Sequence, residues 1–172
     1  AILAATIEGK PIEDEAAAGM LRLLISAGHN STTSGLGNAA LYLARNIDEQ
    51  QQLRANPDAI PMAVEELLRF DTPVQAMPRR AAKKLTLNGR TIESGEKIDM
   101  FWASGNRDEE VFTNPDKCIF NRQPNKHLTF GHGIHLCIGA SMARMEIRIA
   151  LEELLKQTEL FEVNGEVERT PF

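Results

Sequence analysis

Residues 130–139 read Phe130-Gly131-His132-Gly133-Ile134-His135-Leu136-Cys137-Ile138-Gly139. Three glycines surround one cysteine, and the segment runs straight into Gly139 to Leu160, whose apolar residues recur at helical spacing. Glycine reaches positive φ and lets backbone approach a flat ligand closely. A sulfur at the start of a helix faces unpaired N–H groups and the positive end of the dipole, and both favour an anionic sulfur.

On these residues alone several readings of Cys137 stand open. An iron porphyrin takes such an anionic sulfur as a ligand when it is held rigidly among apolar neighbours. A lone cysteine is also commonly a buried structural residue. Zinc held by Cys137, His132, His135 and Cys118 matches no common zinc spacing and draws two ligands from one tight loop. A nucleophile with a histidine base is the remaining option.

Working outward, residues 114–127 form a long irregular stretch containing Pro115 and Pro124. Such a loop inside a globular domain is commonly functional. Upstream, Leu85-Thr86-Leu87 and Arg90-Thr91-Ile92 flank Asn88-Gly89, a hairpin signal. Lys97 to Ala103 reads as a further strand, and Phe161-Glu162-Val163 as a terminal one. Ile47 to Ala55 reads as a short helix stopped by Asn56-Pro57, and Met62 to Phe70 as another, with Pro61 in its first turn.

Residues 13–46 predict one long helix with Glu13, Asp14 and Glu15 at its start. Its middle, Ser26 to Gly35, is small, polar and glycine-bearing. Glycine costs about 1 kcal/mol against alanine in a helix interior, and free hydroxyls capture backbone carbonyls. Either a tight helix crossing or a functional site explains that composition.

Composition narrows the class. Of 172 residues, 42% are hydrophobic and 25% charged, the balance of a soluble globule. A net charge of −5 argues against a nucleic-acid binder. No apolar run approaches the roughly 20 residues that span a bilayer. The opening residues carry no basic leader and meet Glu8, so no signal peptide is expected. Two cysteines make no disulfide framework, which suits a reducing cytoplasm.

The 130–139 segment resembles the haem-binding signature of the cytochrome P450 family, Phe-x-x-Gly-x-x-x-Cys-x-Gly, with Phe130, Gly133, Cys137 and Gly139 at every fixed position. Glu66-Leu67-Leu68-Arg69 resembles the family's Glu-x-x-Arg, and Ala27-Gly28-His29-Asn30-Ser31-Thr32 its long-helix motif Ala-Gly-x-acid-Thr-Thr. Asn106-Arg107-Asp108 and the Gly-His-Gly-x-His-x-Cys wording are similar to the soluble bacterial branch. The resemblance runs from about Gly9 to Phe161. It implies a mainly α fold with a small β region, the C-terminal part of the family's fold. Residues 1–172 would then be the C-terminal portion of a single domain whose N-terminal portion lies outside this chain, which leaves the haem face of the long helix exposed.

The resemblance implies that Cys137 ligates the iron of a haem that lies against Phe130, Gly131, Gly133, Ile138, Gly139, Ala27 and Gly28, with His135 and Arg79 on its propionates. Arg80 competes with Arg79 for that role. Glu66 and Arg69 form a structural pair that locks the loop before the cysteine; its third partner is Lys117 or Arg122, and Glu66→Ala is expected to lose haem as well as activity. Ser31, with Asn30 or Thr32, handles protons. Here the chain departs from the pattern: Asn30 replaces the acid, and Ser31 the threonine. Ser31 keeps a hydroxyl able to donate, but Asn30 cannot relay a proton by ionising, unless it orders a water chain instead.

The activity so implied is insertion of one oxygen atom from O2 into a C–H or C=C bond of a small hydrophobic substrate, lined by Pro73 to Met77. Electrons would come from NAD(P)H through a ferredoxin-type donor and its reductase. Arg144, Arg148 and Lys126 are candidates for docking that donor. The competing class is a haem carrier or sensor, or a peroxide-driven or isomerase enzyme, and Asn30 is the residue that favours it.

Overall fold

The computed structural model describes residues 4–169; residues 1–3 and 170–172 lie outside the described residues. The chain begins with a small hairpin, β1 (Thr6–Ile7) and β2 (Lys10–Pro11), and passes into α1 (Asp14–Arg45). Asp14 and Glu15 occupy the first turn of α1 and Arg45 the last, as the helix dipole favours. Asn46 ends it by donating from Nδ2 to the Tyr42 carbonyl at 2.7 Å. Next come α2 (Ile47–Ala55), a turn of 3-10 helix at Pro57–Ala59, and α3 (Ile60–Phe70) with Pro61 in its first turn.

The β region is two antiparallel pairs: β3 (Ala76–Arg80) with β6 (Lys97–Phe101), and β4 (Leu85–Leu87) with β5 (Arg90–Ile92). Asn88 and Gly89 join β4 to β5 with φ of 46° and 77°. Two positive φ values give the turn a twist that matches its strands, which Asn-Gly tolerates best. A single turn, α4 (Trp102–Gly105), and the last helix, α5 (Ala140–Gln157), complete the chain.

The core lies where α3 and α5 cross the C-terminal half of α1, with α2 closing one end. Leu43, Leu53, Ile60, Val64, Ile147 and Leu151 are fully buried there. Gly35 makes the crossing close: a Cβ on it would sit 3.2 Å from Ile147 Cδ1 and 3.3 Å from Pro73 Cγ. The N-terminal half of α1 projects past this core, with Leu23 67% and Ile25 71% exposed. So the small residues of α1 have two explanations. Gly35 serves a helix crossing, whereas a Cβ on Gly28 would meet nothing within 4 Å.

Two expected strands differ. Lys97 to Ala103 stops at Phe101, because Trp102 begins α4 and the Ala103 N–H turns back to the Gln75 carbonyl at 3.1 Å. Residues 161–163 form no strand. The buried Gln50 side chain takes the place of a partner strand, with Nε2 donating to the Phe161 carbonyl at 2.8 Å and Oε1 accepting its N–H at 3.2 Å. The last helix also closes earlier than Leu160, at Gln157, where Thr158 Oγ1 caps the Leu154 carbonyl.

Candidate functional site

The cysteine segment is a closed loop leading into α5. The Cys137 N–H donates to the Phe130 carbonyl at 2.9 Å, that of Leu136 to Gly133 at 3.0 Å, and that of Gly131 to Leu128 at 2.8 Å. Gly131 and Gly133 hold φ of 72° and 75°, which a side chain would strain. The N–H groups of Ile138 and Gly139, the two residues that follow the cysteine, find no backbone acceptor among the described residues. Cys137 itself is exposed. Around it Ile134, Leu136 and Ile138 are 97%, 58% and 92% exposed, an apolar cluster that water alone does not favour.

The loop is fastened from below by two buried groups. Glu66 and Arg69, three apart on α3 and both fully buried, pair through two bonds of 2.8 Å. The third partner is Arg122, whose Nε reaches both Glu66 oxygens at 3.0 Å. Lys117 contributes only its backbone carbonyl, to Arg69 and Arg122 alike. The Ile119 N–H and Asn125 Nδ2 also donate to Glu66, at 2.8 and 3.1 Å. Burial raises the Glu66 carboxyl, but the Arg69, Ile119 and Arg122 hydrogen bonds outweigh it and hold the group below the ordinary carboxylate value. Arg69 also donates to the carbonyls of Asn106 and Pro115, so one guanidinium ties the end of α4 and the start of the irregular stretch to α3.

The second group is Asn106, fully buried. Its Oδ1 accepts the Leu128 N–H at 2.6 Å, and its Nδ2 donates to Thr72 and Thr129. It thereby pins the residues just before Phe130. The sequence marked Asn106 only as part of a resemblance and missed this role. It also missed Glu65 and His127, whose carboxylate and ring meet at 3.1 Å. Two adjacent acids on the buried side of α3 were the available signal.

Arg144 is not a free surface cation. Its Nε and Nη2 grip the Glu65 carboxylate at 2.7 and 2.9 Å, and its guanidinium lies 4.4 Å from the Phe130 ring centroid. Arg148 pairs with Glu152 at 3.5 Å. Arg144 and Arg148 are thus both ion-paired, with their side chains 41% and 45% exposed.

In α1, Ala27, Gly28 and Asn30 are exposed and Thr32 is partly buried. The Ser31 hydroxyl donates to the Ala27 carbonyl at 2.6 Å. That bond commits its proton to the helix, so toward any further partner the oxygen accepts. Arg79 and Arg80 separate clearly: Arg80 reaches the Gly95 carbonyl across the turn, whereas Arg79 touches only the carbonyl of Pro78 beside it. His135 is exposed. None of Asn30, Ser31, Thr32, Arg79 and His135 has a hydrogen bond to the cysteine loop among the described contacts.

The donor set suits one kind of group. One exposed sulfur beside two unpaired N–H groups suits a soft, electron-poor metal. The apolar rim and the two open glycines suit a flat ring. Arg79 and His135, with no carboxylate partner among the described residues, suit the acids of that ring. A zinc site does not form: no three His, Cys, Asp or Glu side chains gather among the described residues. Cys118 packs instead against the core, where burial pushes its thiol up to about 12.

Comparison with known proteins points the same way. The cytochrome P450 family model matches residues 2–171. The chain is 41% identical over 150 residues to the biotin biosynthesis cytochrome P450 of Bacillus subtilis, covering 87% of this chain and 38% of that one. It is 36% identical to cytochrome P450-terp of a Pseudomonas species, covering 92% and 37%. The crystal structure of P450BioI in complex with a hexadec-9Z-enoic acid ligated acyl carrier protein superposes with a TM-score of 0.91 at 39% identity, over 95% of this chain and 43% of that one. CYP109E1 from Bacillus megaterium in complex with testosterone gives 0.91 at 34%, over 99% and 48%. The chain thus spans less than half the length of these relatives and forms part of their fold. With the signature loop, the buried Glu66–Arg69–Arg122 group and the matched architecture all in one chain, it belongs to the cytochrome P450 family, whose members bind haem through a cysteine thiolate.

Proposed function

We propose that this chain is the C-terminal portion of a single haem domain, and that the whole protein is a monooxygenase with Cys137 as its thiolate ligand. The observation that carries the reading is the exposed Cys137 thiol, ringed by exposed Ile134, Leu136 and Ile138 on a loop anchored by buried polar groups. Haem bound through a thiolate receives electron density from sulfur, which favours O–O cleavage and oxygen insertion into C–H or C=C bonds.

This chain's residues do the rest. Cys137 supplies the sulfur, and the Ile138 and Gly139 N–H groups stabilise its charge. Phe130, Gly131, Gly133, Ile138 and Gly139 would line the ring from the cysteine loop, and Ala27 and Gly28 from α1. Arg79 and His135 hold the propionates. Ser31 accepts a hydrogen bond while its own proton stays on Ala27, and Asn30 or Thr32 orders the water that brings protons in. Val74 and Met77 give the substrate side an apolar lining, which fits a small hydrophobic molecule. A ferredoxin-type donor, fed by its reductase, supplies electrons, and Lys126 with the ion-paired Arg144 and Arg148 are the docking cations. The two free cysteines fit a reducing cytoplasm. No helix among the described residues is long and apolar enough to cross a membrane.

A second reading, a haem-thiolate carrier, sensor, isomerase or peroxide-driven enzyme, is favoured by Asn30 alone, since none of these needs an ionisable relay. The deciding experiment is the visible spectrum of the full-length protein, reduced and exposed to carbon monoxide. A strongly red-shifted Soret band establishes the thiolate. A band typical of histidine or protonated thiol, or no haem, removes the proposal. Substrate-dependent NAD(P)H consumption with matched donors then separates the monooxygenase from the second reading.

A further inference from the structure

We infer that Glu65, Arg144 and His127 form a second brace beside the Glu66 group, and that Arg144 acts through the Phe130 ring to position the cysteine loop. The inference rests on the haem-thiolate reading above. None of the three belongs to the signature or to Glu-x-x-Arg.

The geometry runs through one residue. Arg144, on the first turns of α5, places its guanidinium 4.4 Å from the Phe130 centroid, within cation–π range. The His127 ring lies 5.9 Å from the same centroid, tilted by 47°. The ring is therefore held by a cation from α5 and an imidazole from the loop. The carbonyl of that same Phe130 accepts the Cys137 N–H at 2.9 Å, so turning Phe130 moves the peptide that carries the sulfur.

Glu65 fixes both holders at once. One oxygen takes Arg144 Nε at 2.7 Å; the other takes Arg144 Nη2 at 2.9 Å and meets His127 Nε2 at 3.1 Å. The far nitrogen, His127 Nδ1, accepts the Thr129 N–H at 3.3 Å, which leaves Nε2 as the donor to Glu65. The His127 side chain is 3% exposed, Glu65 29% and Arg144 41%, so the group runs from the interior at His127 to the surface at Arg144. Burial raises the Glu65 carboxyl, yet the His127 and Arg144 hydrogen bonds bring it down to about 2, so the brace is charged at working pH. A two-toothed grip also explains why Arg is needed: lysine has neither the fork nor the flat face.

The test uses the full-length haem-loaded protein with Arg144→Lys, Glu65→Gln and Phe130→Leu. The readout is the reduced carbon monoxide spectrum over time: the share of haem in the red-shifted thiolate band against the protonated-thiol band, with haem content measured separately. Arg144→Lys and Glu65→Gln should each keep haem and convert to the second band about tenfold faster, the change that one charge-assisted hydrogen bond supports. The double variant should be no worse than either single one, and Lys156→Ala, at an exposed pair on the same helix, should match wild type. In the Phe130→Leu background Arg144→Lys should add nothing, which keeps the test valid if the single variant folds poorly. Wild-type conversion rates in both single variants, or an undiminished Arg144→Lys effect without the Phe130 ring, overturn the brace while leaving the thiolate reading intact. A wild type with no red-shifted band overturns both.

Discussion

Replacing Glu66 by glutamine tests how much the cysteine loop depends on one buried charge. The side chain keeps its volume, but one acceptor oxygen becomes an NH2 that points at donors. Arg69, fully buried, and Arg122, 7% exposed, both lose their counter-ion. The Ile119 N–H and Asn125 amide compete for the one remaining oxygen. Breaking a buried pair by removing one partner costs about 3–5 kcal/mol, and total stability is on the order of 5–15 kcal/mol. With a urea slope of about 1–3 kcal/mol per molar, the unfolding midpoint should fall by about 1–5 M. The loss should be accompanied by haem release, because the carbonyls of residues 106–117 that Arg69 gathers are the base on which the loop sits. Urea titration of the full-length protein followed at the Soret band and by circular dichroism measures both. Lys84→Met, at a pair with side chains 65% and 57% exposed, is the reference and should move the midpoint by the equivalent of less than about 1 kcal/mol. If Glu66→Gln behaves like that reference and keeps its haem, the Glu66 group is not what holds the loop.

Five further outcomes follow from particular residues. Gly35→Ala must push aside Ile147 and Pro73 and should lower stability by about 1–3 kcal/mol. Gly28→Ala has open space and should leave the melting temperature unchanged or raised, while perturbing the Soret band; equal melting losses in both would deny Gly28 a cofactor role. Asn30→Asp restores an ionisable relay and should raise product formed per electron consumed, with less peroxide; unchanged coupling would place proton delivery elsewhere. The Glu65 carboxyl sits at about 2 in the fold against an ordinary 4.5. Its stabilisation is thus present above pH 4.5 and lost as pH falls toward 2, so the gap in melting temperature between wild type and Glu65→Gln should close over that window. Finally, haem-free protein treated with iodoacetamide near neutral pH should be alkylated at Cys137, which is exposed, and spared at Cys118, whose thiol burial holds at about 12; mass spectrometry of the peptides decides.

The long helix, the Asn88-Gly89 hairpin and the α3 and α5 helices were legible because each is specified by its own residues: periodicity, turn chemistry, a proline in a first turn. The elements that misread are those decided by distant partners. Nothing near Phe161 says that its backbone bonds go to Gln50, 111 positions earlier. The Trp102 turn likewise depends on the Gln75 carbonyl. The choice of Arg122 over Lys117 is set by how the irregular stretch folds around Glu66, which periodicity does not describe. Arg144 shows the same limit: its side chain does reach solvent, but its partners Glu65 and Phe130 lie 79 and 14 positions away and could not be read from the helix face.

The site itself was legible through residues that are wrong for their local setting. Gly28 and Ser31 weaken a helix, and Ile134, Leu136 and Ile138 would be poor choices for a loop facing water. The fold explains some such oddities internally, as Gly35 and the buried Asn106 show. Those that it leaves unexplained are the useful ones. Gly28 stays open, Leu23 and Ile25 stay exposed on the projecting half of α1, and the three aliphatic side chains stay exposed around Cys137. Leu23 and Ile25, two residues apart, point to nearly opposite faces of α1, so a single ring covers at most one of them. A haem held between the loop and α1, as proposed above, would account for the exposure of Gly28 and of the side chains around Cys137; the rest of the domain, which this chain does not include, accounts for other exposed positions on α1.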